Sequence, residues 1–229
     1  MPILALAQVG ARRDGVPVLD DVRCALPSGA VTAIVGDNGS GKSTLLEVLA
    51  GVLPHDGTIA GLPERRALVV QRTDLGDRLP LTVRATVAMG LWRERGLVGR
   101  MRAADRARVD EALAIVGMRA FAHRPLAALS GGQRQRVLVA QGLVQRAPLT
   151  LLDEPTASAD AASRDRIDAA MRTLADGGAT VVVATHDRAT LGRADHAVLL
   201  ERGRVVAEGS PVDVAAAQLR RAAAALALG

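Results

Sequence analysis

Gly36-Asp37-Asn38-Gly39-Ser40-Gly41-Lys42-Ser43-Thr44 decides how this chain is read. The stretch fits GxxxxGK[ST], in which glycines let successive backbone N–H groups curl around phosphate oxygens while a lysine ammonium reaches the outer phosphates as a compact point charge. Of the 29 Lys and Arg residues, Lys42 is the only lysine. A composition that uses arginine everywhere else keeps lysine where a planar guanidinium would not fit. Val31-Thr32-Ala33-Ile34-Val35 reads as a buried strand ahead of the loop, and Ser43 to Ala50 reads as a helix behind it. The loop therefore lies at a helix N-terminus, where backbone amides and the helix dipole favour an anion.

Working outward, the 229 residues suffice for one large domain, or a core with a subdomain, and 49% hydrophobic content supports a packed interior. Cys24 is the sole cysteine, which excludes an internal disulfide and suits a reducing cytoplasm. The apolar start, Met1 to Ala7, precedes Arg12 and Arg13, the reverse of a signal peptide, so export by that route is not expected. No apolar run approaches the roughly 20 residues of a membrane span, so a membrane role would be peripheral, through a partner. The formal charge is +5, but the arginines are scattered, Tyr is absent, and Trp92 and Phe121 are the only aromatics. That composition argues against a stacking platform for single-stranded nucleic acid, and no direct nucleic-acid partner is expected.

Short apolar stretches from Met1 to about Pro27 predict strands leading to the loop, and Gly57 to Val70 reads as a further strand group. From about Leu79 to Leu143 the pattern changes to helix formers at helical spacing, over Thr82 to Trp92, Ala104 to Val116 and Gly132 to Val144, with Gly117 as a stop. This is a helical insert in an α/β chain. Apolar strands at Leu149 to Leu152 and Thr180 to Ala184 flank a helix from about Ala161 to Ala175, an alternation that implies a parallel sheet covered by helices. A hairpin from Ala197 to Glu208, turning at Arg202-Gly203, and an alanine-rich helix close the chain.

Two further stretches carry chemistry. Leu151-Leu152-Asp153-Glu154 places two carboxylates at the C-terminal end of a buried strand, where open α/β sheets place their ligands. In proteins with such a phosphate loop the first acid, Asp153, helps hold Mg²⁺ with the Ser43 hydroxyl, which leaves Glu154 to polarise an attacking water. Leu129-Ser130-Gly131-Gly132-Gln133 precedes a helical run, with Ser130 as N-cap and two glycines exposing backbone N–H groups as a second anion site. Two phosphate-binding helix ends in one chain suggest that the second meets a nucleotide held by another copy.

The order of Gly36 to Thr44, Gln71, Leu129 to Gln133, Leu149 to Glu154, Asp160 and His186 closely resembles the nucleotide-binding subunit of ATP-binding cassette (ABC) transporters, over nearly the whole chain. The resemblance implies an α/β P-loop NTPase fold with a mostly parallel sheet, an N-terminal antiparallel β subdomain and an inserted helical subdomain at about 79–143, all within a single domain spanning 1–229. It implies ATP and Mg²⁺ as ligands, with Gly36 to Thr44 and Ser130 to Gln133 around the nucleotide and Ser43, Gln71 and Asp153 around the metal. Catalysis would fall to Glu154, His186, Gln71 and Lys42: His186 contacts the γ-phosphate and orients Glu154, and Gln71 senses Mg²⁺ and the attacking water while touching the membrane partner. Asp160 belongs to a loop crossing the interface with a second ATPase subunit, expected to be an identical copy. The implied partners are a membrane permease and an extracytoplasmic solute-binding protein, with the subunit on the inner face of the cell membrane.

The chain departs from the family pattern at three places. Arg13 stands where an aromatic base platform is usual, and it reads either as a guanidinium that stacks on the base or as half of a solvated pair with Arg12. Ala159 replaces a larger apolar residue, and Gln141-Gly142-Leu143 replaces Arg-Ala-Leu. Chromosome-maintenance and DNA-repair ATPases share the signature, but they insert long coiled coils or zinc modules for which the span from Thr44 to Ser130 and the single cysteine leave no room. ABC translation factors normally join two cassettes. Gln71-Arg72, Leu79 to Val83 and Val87 to Gly90 resemble the corresponding segment of zinc and manganese importer ATPases, which gives a divalent metal as the expected cargo, with another cargo or export as the alternative.

Overall fold

A computed structural model of the protein describes residues 3–70, 81–96, 99–157 and 159–227. Strands β1 (Ile3–Arg13), β2 (Val16–Pro27) and β4 (Asp56–Ala60) form an antiparallel sheet in the order β2-β1-β4. Strands β3 (Val31–Val35), β5 (Arg66–Val69), β6 (Leu149–Asp153), β7 (Thr180–Ala184), β8 (His196–Glu201) and β9 (Arg204–Gly209) form the larger sheet, ordered β5-β6-β7-β3-β8-β9. Every pairing in it is parallel except β8 with β9, the hairpin that turns at Arg202-Gly203.

Side chains alternate across a strand, and here the alternation divides the core. Val31, Ala33 and Val35 of β3, Val181 and Val183 of β7, and Ala197 and Leu199 of β8 join one buried cluster. Ile34, Val182, Ala184, Val198 and Leu200, their intervening neighbours, join another. The first cluster is completed by helices α2 (Val83–Ala88), α4 (Ala103–Ile115), α5 (Gly131–Leu143) and α6 (Ala161–Asp176). The second is completed by α1 (Lys42–Ala50) and by β1 and β2. Burial on both faces explains why β3 and β7 show no alternation of apolar and exposed polar residues; even Thr32 and Thr180 are buried.

The predicted elements form with small shifts, with one regrouping. Gly57 to Val70, read as one strand group, divides: β4 pairs with β1 in the antiparallel sheet and β5 is the edge of the parallel one. Between α2 and α4 lie a 3-10 turn at Met89–Leu91 and the short helix α3 (Trp92–Arg95). A five-residue helix, α7 (Arg188–Gly192), follows β7 and was too short to show a period, and α8 (Pro211–Ala227) closes the fold. Gly142, one of the departures from the usual family sequence, has a packing reason. A Cβ there would come within 2.5 Å of Val69 Cγ2, so glycine lets α5 lie close on β5. Among the described residues no helix is long and apolar enough to cross a membrane.

Candidate functional site

Three adjacent parallel strands, β6, β7 and β3, end on one edge, and each releases a segment that the sequence singled out. β3 leads into Gly36 to Gly41, β6 ends at Asp153 with Glu154 next, and β7 is followed by Thr185 and His186. Backbone bonds stitch the exits together: the Glu154 N–H donates to Ala184 O at 3.0 Å and the Thr185 N–H to Ile34 O at 3.0 Å. The result is a cleft of about 420 Å³ lined by Val18, Asn38, Gly39, Gly41, Lys42, Ser43, Thr44, Glu154 and His186.

The loop has little freedom. Gly36 has φ 146°, and a Cβ there would lie 2.1 Å from the Leu200 carbonyl oxygen, so β8 packs against bare backbone. Lys42 is buried, and its Nζ donates to Gly36 O at 2.8 Å and Asp37 O at 2.9 Å, folding the loop around its own ammonium. No side chain caps α1, whose N-cap is Gly41, so its first-turn amides suit a phosphate.

Ser43 Oγ donates to Asp153 Oδ1 at 3.0 Å, which joins α1 to β6. Burial pushes the Asp153 carboxyl above its ordinary range, against the bond from Ser43, which lowers it. A cation would relieve that cost. Hydroxyl and carboxylate oxygens are the hard donors that Mg²⁺ takes, usually while keeping several waters, so this pair fits the ion. Glu154 sits at φ 48°, a left-handed conformation that side chains adopt only under constraint. His186 Nδ1 approaches Glu154 Oε2 to 2.8 Å, yet the angle is not that of a hydrogen bond, and this buried oxygen has no hydrogen-bond partner. Glu154 lines the cleft, and its carboxylate, with one oxygen left without a hydrogen bond, can accept a proton from a water held there.

The second predicted anion site lies elsewhere on the chain. Ser130 is the N-cap of α5: its Oγ accepts the Gln133 N–H at 3.3 Å, and Gln133 Oε1 accepts the Ser130 N–H at 3.0 Å. None of Ser130, Gly131, Gly132 or Gln133 lines the cleft. Asp160, exposed, is the N-cap of α6, and hydrogen bonds from the Ser163 side chain, then from its N–H, hold its carboxyl below the usual range. Gln71 lies outside the described residues, as do Arg72, Leu79 and Pro80 of the segment that resembles metal importers. Arg13, left open between base stacking and solvation, is ion-paired with Glu47 of α1. Sequence reasoning missed Val18 as a wall of the cleft, and also Asp187 beside His186; only the S/T/D/N capping preference ahead of a helix pointed at the latter.

The sequence model of the ABC transporter family matches residues 19–157. A zinc transport system ATP-binding protein of Treponema pallidum is 42% identical over 86% of this chain and 77% of its own length. A hemin import ATP-binding protein of Rhodococcus jostii is 39% identical over 92% of this chain and 76% of its own length. A bacterial ABC transporter cassette solved as a dimer superposes with a TM-score of 0.77 at 26% identity, covering 91% of this chain and 98% of that one. Phosphate loop, paired carboxylates and histidine on one strand edge, together with these likenesses, establish that the chain belongs to the ABC transporter family, as one of its ATPases.

Proposed function

We propose that this chain is a single ABC cassette that binds ATP and Mg²⁺, closes head to tail with a second copy, and through that motion drives a membrane permease importing a divalent metal. Lys42 and the amides of Gly36 to Thr44 hold the phosphates, and Ser43 and Asp153 hold Mg²⁺, which when bound neutralises charge on the outer phosphates. Glu154 polarises the attacking water, and His186 contacts the γ-phosphate and orients Glu154. Ser130 to Gln133 of the partner copy completes the phosphate site, Asp160 lies at the interface, and Gln71 reports the state of the site to the permease. The subunit would sit on the cytoplasmic face of the membrane.

The observation that carries the catalytic reading is the convergence of Lys42, Ser43, Glu154 and His186 in one cleft, with Asp153 bonded to Ser43. Glu154→Gln keeps the phosphate and metal ligands and removes only the carboxylate. Turnover is expected to fall by about 10² or more while ATP affinity stays within about twofold, and the variant should elute as a dimer with ATP and Mg²⁺ in gel filtration. Unchanged turnover, or a monomer alone, would overturn this reading.

Metal cargo is supported by the zinc-transport relative and by Val87 to Gly90, which resembles metal-importer ATPases. The hemin-import relative favours a second reading, a metal chelate. Deleting the gene should impair growth under zinc or manganese chelation, with recovery on adding the metal. Rescue by hemin alone would favour the chelate.

A further inference from the structure

Asp187, next to His186, gathers contacts that no catalytic role requires. As N-cap of α7, its Oδ1 accepts the Ala189 N–H at 3.2 Å, and its Oδ2 accepts the Thr190 hydroxyl at 3.1 Å. Its own N–H donates to Thr185 Oγ1 at 3.0 Å, and Thr185 is fully buried, with its N–H on Ile34 O. The turn carrying His186 is thus held on both sides.

The remaining contact reaches a different element. Arg164 Nε of α6 lies 3.1 Å from Asp187 Oδ2, and this buried nitrogen makes no aligned hydrogen bond, so the link is chiefly one of opposite charges. The Arg164 N–H closes the first turn of α6 on the Asp160 carbonyl at 2.9 Å. A chain of contacts therefore runs from Asp160 through Arg164 and Asp187 to the turn that places His186 2.8 Å from Glu154. It joins the start of α6 to the turn whose His186 lines the cleft.

We infer that Asp187 and Arg164 are a positioning pair: the ion pair makes the entrance to α6 and the His186 turn move as one body, so that the seating of Asp160 sets the His186–Glu154 contact. This rests on the roles proposed above for Glu154 and His186. Removing either charge would leave the nucleotide ligands in place and loosen the histidine, which affects the reacting state more than binding.

The test is steady-state ATP turnover by the full chain carrying Asp187→Asn, Arg164→Gln, both together, or Arg164→Lys. Asn retains the cap, since it caps helices about as well as Asp. Each single change should lower kcat about five- to tenfold with KM for ATP within about twofold. The double variant should be no slower than the slower single, because both remove the same contact. Arg164→Lys should recover most of the loss. Unchanged kcat in the singles, a rise in KM that accounts for the loss, or losses that multiply in the double would overturn the pairing. Melting curves check the fold, and Arg164→Gln, on a partly exposed side chain, carries the test if Asp187→Asn does not fold. Glu154→Gln in the same assay separates the two proposals. If it alone abolishes turnover, with the pair variants normal, only the positioning role fails; wild-type turnover from Glu154→Gln overturns the catalytic reading itself.

Discussion

A methyl group on Gly36 would meet the Leu200 carbonyl at 2.1 Å from a backbone at φ 146°, so Gly36→Ala has neither the space nor the conformation it needs. We expect destabilisation of roughly 2 kcal/mol, read as a melting temperature lower by roughly 4–8 °C, together with loss of ATP binding in titration calorimetry. Affinity at the wild-type level would show that the loop tolerates being pushed off β8. The glycine was legible in the sequence because phosphate loops need bare backbone. The reason β8 demands it was not, since Leu200 is remote in sequence. Arg13 illustrates the same limit: its composition allowed stacking or solvation, and the Glu47 partner that engages it stands on a different element. The left-handed backbone of Glu154 left no trace in residue type, because glutamate is not a residue that seeks it.

Among the elements, α4 shows how a helix can depend on one carboxylate. Asp105 is fully buried, accepts the Arg102 N–H at 2.8 Å at the helix start, and accepts Arg95 Nη2 at 2.7 Å from α3. The backbone bond from Arg102, then that from Arg95, holds its carboxyl below the ordinary range. A carboxyl depressed on folding stabilises the native state above its unfolded pKa, and that stability is lost as pH falls through the folded value. Asp105→Asn should therefore lower the melting temperature at neutral pH and lower it less below about pH 4, where the unfolded chain already binds the proton. A constant difference at all pH values would mean that Asp105 acts by shape alone. The helical pattern of this region was readable from its spacing. The separation of β4 from β5 was not, because a short apolar run does not say which sheet it joins.

Across the whole molecule, the alternation of buried residues on β3, β6, β7 and β8 ties two cores together through one sheet, and Cys24 of β2 lies in the core shared with α1. Burial, then Glu208, pushes its thiol up to about 12. Native protein at pH 8 should resist a maleimide reagent for hours, and denaturant should expose the thiol along the same curve as loss of helical signal. Labelling well before the helical transition would mean that the antiparallel sheet opens by itself. The strands of both cores were legible as apolar runs, whereas the division of labour among arginines was not. Several donate to carbonyls at helix ends: Arg136 to Val116 O at 3.1 Å, Arg108 to Val144 O at 2.5 Å and Arg66 to Leu49 O at 3.4 Å. Such contacts are set by which helix ends approach which arginine, a tertiary fact that a count of charges does not contain.

The φ of 48° at Glu154 sets two kinds of selection against each other at one codon. Left-handed backbone costs a non-glycine residue on the order of 1 kcal/mol, and the buried carboxylate oxygen without a hydrogen bond adds to that cost. A library sorted only for survival after heating should drift at 154 toward glycine or asparagine, which accept the conformation and shed the charge. A library sorted for growth on a limiting nutrient should hold glutamate, and sequencing both pools would show at this position a conflict between endurance and work.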